Sequence, residues 1–288
     1  MNNLETFWYW INERHAIYLN REEGQEAPWT EDKILQSYRF CNVYRELDVV
    51  TEWIRDNWRT PWADHPNLWF AMCVARQINR PETLKKFGFP RDNLREYVVK
   101  IRGIMQKMRD RGEQIYGAAY ILTAGGKAMQ KHLYTADYVL MPIAKDPPSF
   151  AKTKSGWSLQ GMWKGLREYE GFGPFIAYEV VTDLRHTRYY NPHGPQADHM
   201  KWANAGPGAK RGLARIYYND KEKRLSEKEC LLKMRELLAM SAKDGILHPA
   251  LPKLEMRDIE HSLCETDKYL RAKSGLGRPK AKYPGEGT

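Results

Sequence analysis

Cysteine is scarce and scattered: there are four (Cys41, Cys73, Cys230, Cys264), with no C-x-x-C pair among them. That spacing excludes a zinc finger or ribbon and supplies no disulfide framework, so the thiols read as reduced and no metal site is expected. Long apolar runs are missing too. No stretch approaches the roughly 18 consecutive apolar residues of a membrane span. The opening Met-Asn-Asn-Leu-Glu-Thr lacks the basic-then-apolar order of a secretory signal. Gly125-Gly126-Lys127 lacks the G-x-x-x-x-G-K-[ST] spacing of a phosphate loop, and no strand pattern precedes it. Period-two alternation and internal repeats are absent as well, which leaves an all-α chain.

What is present is basic and aromatic. Across 288 residues, 46 Lys and Arg face 36 Asp and Glu, a formal net charge of +10. Such a balance favours a polyanionic partner, nucleic acid first among them, although a basic protein without one has the same composition. The 10 Trp and 17 Tyr supply core area and, where exposed, surfaces that stack on bases.

Apolar residues recur at helical spacing along the chain. Leu4, Phe7, Trp8, Ile11, His15 and Tyr18 form one face. A second helix, capped by Thr30, is expected to carry Ile34, Leu35, Tyr38, Val43 and Leu47 on its apolar side. Its polar side would hold Arg39, Asn42, Arg45, Asp48 and Thr51, with Arg45 and Asp48 three apart and able to pair. These groups read either as a structural network or as a clamp for a phosphorylated group. Asn67 is placed to cap a strongly apolar helix, Leu68 to Ile78, that reads as fully buried and ends in Arg76-Gln77-Ile78-Asn79. Leu94 to Met108 is amphipathic, with a basic outer face. Ser226 and Glu229 form a capping box, and a last helix runs from about Asp258 to Leu270. Beyond it, Arg271 to Tyr283 carries five basic residues and no acidic one.

Trp163 to Leu213 organises the rest of the chain. One helical pattern runs to Gly171 and another starts after Pro174. Gly171-Phe172-Gly173-Pro174 between them allows positive φ in a short connection, and Pro174 suits a first helical turn. Two helices joined this way form a helix-hairpin-helix. Gly171 and Gly173 then bring backbone amides to a phosphate at a helix N-terminus, and an ordinary glycine turn reads the same residues equally well. A polar loop and a single acid, Asp198, follow.

The order hairpin, helix, loop, Asp resembles the helix-hairpin-helix DNA glycosylase superfamily. There an Asp beyond the hairpin sits in the pocket of a flipped nucleotide. Asp198 takes that place here and Asp183 is the second candidate. Gln77 and Asn79, ending the apolar helix, correspond to residues that fill the gap left by the nucleotide. A longer resemblance rests on Glu13-Arg14-His15, Pro28-Trp29-Thr30 with Asp32, and Phe40-x-Asn42-Val-Tyr-Arg45-Glu-x-Asp48. It continues through Gly171-Phe-Gly-Pro-Phe-Ile-Ala-Tyr178 with Asp183, Gly206-Pro-Gly208-Ala-x-Arg211-Gly-Leu213, and Asp267-Lys-Tyr269. These motifs, over about residues 4–283, resemble the glycosylase-like helical proteins of phage thymine hypermodification. That group includes the α-glutamyl/putrescinyl thymine pyrophosphorylases and the helical domain associated with 5-hydroxymethyluracil DNA kinases.

The resemblance implies an all-α, glycosylase-like single domain with two helical lobes around one cleft. Its parts would be about 1–150 (N-terminal lobe), 151–220 (hairpin and Asp segment), 221–270 (C-terminal helices) and 271–288 (a basic flexible tail). It implies a transferase in which an amino acid or polyamine displaces pyrophosphate from 5-pyrophosphomethyl-deoxyuridine. The base would be flipped from double-stranded DNA in the cytoplasm of an infected bacterium, downstream of a DNA kinase. Asp198 or Asp183 would serve the chemistry. Arg14, Arg39, Asn42, Arg45, Asp48 and Arg211 would hold pyrophosphate or co-substrate. Gly171, Gly173, Gly206, Gly208, Lys210, Gln77 and Asn79 would face DNA. No cofactor is expected beyond Mg²⁺ arriving with pyrophosphate. Two other functions fit the same residues: a glycosylase that removes a modified base, and a non-catalytic DNA-binding subunit of a kinase. Asp198 has a plainer reading too, as the cap of a helix starting near His199.

Overall fold

The computed structural model describes residues 1–118, 125–153 and 156–275, and among these every regular element is helical. In chain order they are α1 (Asn3–Glu22), α2 (Lys33–Ser37), α3 (Val49–Ile54), α4 (Leu68–Ile78), α5 (Pro81–Phe87), α6 (Leu94–Asp110) and α7 (Lys131–Tyr134). There follow α8 (Met141–Lys145), α9 (Ser149–Lys152), α10 (Leu159–Leu166), α11 (Pro174–Leu184), α12 (Pro207–Tyr218), α13 (Glu227–Ser241) and α14 (Met256–Lys273). Wider π-type turns prolong α3 (Arg55–Arg59) and join α7 to α8 (Thr135–Leu140). No described helix is long and apolar enough to cross a membrane. Of the expected basic tail, Arg271 and Lys273 form the last turn of α14, and 276–288 lie outside the described residues.

The chain divides into two compact units, and the division does not follow sequence order. One unit is 1–48 with 199–288, the other is 49–198. The boundary expected near 150 is therefore replaced by one at each end of an inserted segment. In the first unit, α14 packs against α1, α12 and α13, so the first and last helices share one core. Phe7, Trp10, Ile11, Met256, Ile259 and Leu263 fill it. Gly212 brings two backbones together: a Cβ there would lie 2.5 Å from the Leu263 carbonyl oxygen on α14. At Gly208 a Cβ would meet the Cys264 side chain.

In the second unit, α4 is buried on every face, as the apolar run Leu68 to Ala75 requires, and packs on α11 and α5. Asn67 does not cap it through its side chain; that amide donates instead to the carbonyls of Pro90 (3.0 Å) and Asp92 (2.9 Å). α10 and α11 are the two helices of the Gly-Phe-Gly-Pro connection. Gly171 has φ +80°, and Pro174 opens α11.

The second helix is the largest departure from the sequence reading. It lasts only from Lys33 to Ser37, and its cap is Asp32, whose Oδ1 accepts from the amides of Ile34 (2.8 Å) and Leu35 (3.1 Å). Tyr38 is already extended, and a single 3₁₀ turn forms at Arg45–Leu47. Local polar bonds explain the break. The Asn42 side chain donates to the Leu47 carbonyl at 2.6 Å, and the Asp48 carboxylate accepts the Asn42 amide at 3.1 Å. Asn and Asp that satisfy the backbone in this way compete with a helical ladder.

Candidate functional site

In the first unit, the segment 38–48 lies over α1 and α14 and gathers most of the polar residues singled out in the sequence. Arg14 on α1 is buried, and its Nε donates to the Phe40 carbonyl at 3.4 Å. Arg45 Nη1 lies 3.7 Å from Asp48 Oδ2, so the expected pair forms, across a 3₁₀ turn rather than along an α-helix. Burial, the leading cause, raises the Asp48 carboxyl pKa above the ordinary value against the opposing pull of Arg45. Arg39 is exposed at the edge of the group, its carbonyl accepting from Lys268 Nζ at 2.6 Å.

Apart from Asp267, a motif residue, the acidic side of this group was not singled out in the sequence. α14 carries four buried carboxylates: Asp258, Glu260, Glu265 and Asp267. Buried acids require partners, and each has them. Glu265 accepts from the Cys41 amide (2.9 Å) and Lys268 (3.1 Å), and Glu260 from Arg257 (2.9 Å). Asp258 completes a capping box at the α14 N-terminus. Asp267 meets Arg211, Arg215 and Arg271. Four acids interleaved with Ile259, Leu263, Tyr269 and Leu270 in one helix were the available signal.

The motif residues around Asp32 serve the frame. Its Oδ2 accepts the hydroxyls of Tyr9 (3.1 Å) and Tyr269 (2.6 Å), while Thr30 donates to Glu13. Both phenols are pushed well above the usual tyrosine range, chiefly by burial. His15 lies against Tyr18 and Tyr44, and burial, aided by Arg14 and His248, lowers its pKa. Cys41, Asp48 and His261 place a thiol, a carboxylate and an imidazole within 4.8 Å of one another, the one arrangement among the described residues with metal-ligand chemistry. Burial, foremost, raises the Cys41 thiol pKa.

Gly206 is the N-cap of α12, with no side-chain cap bond, and both it and Gly208 lie against α14. The Gly206 amide donates to Glu260 Oε1 at 3.3 Å, and Gly208 owes its lack of a side chain to Cys264. Lys210 is half-buried on the first turn of α12.

In the second unit, the two candidate aspartates have distinct surroundings. Asp183 is 1% exposed, and Arg76 grips it through Nε (2.5 Å) and Nη2 (2.6 Å). Arg59 Nη1 lies 3.5 Å from the same carboxylate, and Arg76 also donates to Thr51. Asp183 is thus an interior anchor between two arginines, which corrects its reading as a reserve for chemistry. Asp198 is half-buried. Its Oδ1 accepts from the Leu159 amide at 2.8 Å and its Oδ2 from the Gln160 amide at 3.0 Å, so it supplements the Ser158 cap of α10 and does not cap a helix near His199. Gln77 and the hairpin do come together: Gln77 Nε2 donates to the Gly171 carbonyl at 2.9 Å. Asn79 ends α4 in the left-handed region, buried and facing Arg76.

The family model described as the helical domain of 5-hmdU DNA kinase matches residues 1–277. The 5-hmdU DNA kinase of Bacillus phage SP10 is 25% identical over 239 residues, covering 74% of this chain and 36% of the phage protein. The chain thus corresponds to little more than a third of that relative. No solved structure matches.

Proposed function

The chain belongs to the 5-hmdU DNA kinase helical-domain family, and from that premise we propose that it modifies thymine-derived bases in phage DNA after a kinase has acted on them. Its substrate would be a 5-pyrophosphomethyl-deoxyuridine flipped from the duplex, and its co-substrate an amino acid or polyamine. The bond between the exocyclic methylene and the pyrophosphate oxygen breaks, and its electron pair leaves with pyrophosphate. A bond from the amine nitrogen to the methylene forms, and the nitrogen gives up a proton. Flipping costs a few kcal/mol of stacking, so a protein doing this chemistry needs both a grip on the backbone and a charged pocket.

The observation that carries the reading is the polar group of the first unit, where Arg14, Asn42, Arg45 and Asp48 sit beside buried carboxylates of α14. Cations there suit a departing pyrophosphate or the carboxylate of an amino acid. Within the second unit, Asp198 rather than Asp183 is the candidate carboxylate for the chemistry. Two amides hold it in place without the arginine clamp that encloses Asp183.

A second reading has its own support. The matching family is a domain of a kinase, the phage relative is far longer than the matched stretch, and this sequence has no phosphate-loop spacing. In that reading the chain holds DNA for a separate kinase. One experiment separates them. DNA containing 5-hydroxymethyluracil is treated with a matching kinase and ATP, then with this protein and a pool of amines, and the digested nucleosides are weighed. A new, heavier nucleoside with pyrophosphate release supports the transferase. Free base would mean a glycosylase, and unchanged DNA that is nonetheless bound favours the kinase partner.

A further inference from the structure

The acids of α14 are not matched evenly. Glu260 has Arg257 and Glu265 has Lys268, whereas Asp267 has three arginines. Arg211 and Arg215 reach it from α12 through their Nε atoms, each at 2.9 Å, and Arg271 Nε stands 3.4 Å away. The cluster thus keeps two positive charges in excess. Among the described residues, no acceptor hydrogen-bonds to the Nη groups of these arginines, and Arg215 Nη2 is buried without a partner. A buried donor left unsatisfied costs free energy, and like charges held together cost more. Both costs vanish if an anion completes the group.

Helix geometry and one glycine build this arrangement. Arg211 and Arg215 are four apart and share a face of α12, and Asp267 and Arg271 are four apart on α14. Gly212, lacking a side chain, lets the two backbones meet at Leu263 and so brings one face against the other. Asp267 is fully buried and fixes the Nε edges, whereas the Arg211 and Arg271 side chains remain 41% and 40% exposed. A guanidinium pinned at Nε still offers amino groups to a second acceptor, and its planar fork matches phosphoryl oxygens.

We propose that Arg211, Arg215 and Arg271, organised by Asp267, form a binding site for a phosphoryl anion, supplied either by free pyrophosphate or by a DNA backbone phosphate. The site stands on this geometry and does not require the transfer reaction. If no modified nucleoside is ever formed, the site can still bind its anion.

The test uses the full chain and two probes, inorganic pyrophosphate and an unmodified DNA duplex, with affinities measured by calorimetry and fluorescence anisotropy. Arg211→Gln and Arg271→Gln change partly exposed side chains. Each is expected to weaken binding of one probe about tenfold, the scale of one charge-assisted hydrogen bond. Loss for pyrophosphate assigns the site to the free anion, and loss for the duplex alone assigns it to the backbone. Asp267→Asn supplies the sharper sign. It adds a net positive charge, so an unorganised basic patch would bind both probes more tightly, whereas an organised site binds more weakly because its guanidinium groups are no longer held. Tighter binding by Asp267→Asn, or unchanged affinity for both probes in both arginine variants, overturns the proposal. Pyrophosphate should also raise the melting temperature of the wild-type protein and not that of Arg211→Gln.

Discussion

At the scale of single residues, the two candidate aspartates make opposite predictions. Asp183→Ala strands Arg76 and Arg59 in the interior, and removing one partner of a buried pair costs about 3–5 kcal/mol. Urea denaturation should therefore show a large drop in the unfolding midpoint. Asp198→Ala removes two acceptors from the first amides of α10 but leaves its Ser158 cap, a loss of about 1 kcal/mol. The folded variant should be isolable, and loss of nucleoside modification with DNA binding retained would place Asp198 in the chemistry. Full activity in that variant would remove it. His15 supplies a pH dependence. Its folded-state pKa is lowered, so the unfolded chain binds the proton more readily and stability falls as pH drops below the ordinary imidazole value of about 6.5. His132 is lowered by burial as well and acts in the same direction. From about pH 7.5 to about pH 5.5 the urea midpoint should decline, and His15→Phe should flatten part of that decline. The Arg45–Asp48 pair was legible from its spacing, because three residues span one turn of either helix type. The burial of Glu260, Glu265 and Asp267 was not. A charged residue on a helix reads as solvent-facing until the cation opposite is known, and those cations come from Arg257, Lys268 and the distant Arg211.

At the scale of elements, the positive φ at Gly171 and the start of α11 at Pro174 were readable because glycine and proline act through local backbone geometry, whereas α10 ends at Leu166, short of Gly171. The segment 38–48 was not readable, because its apolar spacing suits a helix while Asn42 and Asp48 bind the backbone in another shape. The hairpin glycines themselves differ. Gly171 has φ +80°, and a Cβ there would lie 2.3 Å from a Val139 methyl, so Gly171→Ala should cost about 2 kcal/mol or more from strain and overpacking. Gly173 has ordinary φ, and a methyl added there would meet nothing within 4 Å, so Gly173→Ala should leave the melting temperature nearly unchanged. That makes Gly173→Ala a clean probe of backbone contact. If the hairpin approaches DNA phosphates, the added methyl should weaken duplex binding severalfold at constant stability. Unchanged affinity would confine the glycines to a turn role.

At the scale of the whole molecule, the continuous lobes expected from sequence are replaced by an insertion. Local pattern tells which residues face a core and not which distant segments share it, so nothing in α1 announces that it packs on α14. The arrangement carries a testable consequence. Residues 49–198 are contiguous, of ordinary domain length, and own an apolar centre in α4 with its Arg76–Asp183 pair inside the same segment. Expressed alone, that segment should unfold cooperatively in urea. Residues 1–48 and 199–288 each hold only part of the other core, since Trp10 and Phe40 lie in one piece and Tyr269 and Leu263 in the other. Neither piece should fold alone, and mixing them, or joining them through a short linker in place of 49–198, should restore helical signal and a cooperative transition. A non-cooperative 49–198 fragment would instead mean that its stability depends on the flanking chain, and the two units would have to be treated as one folding entity.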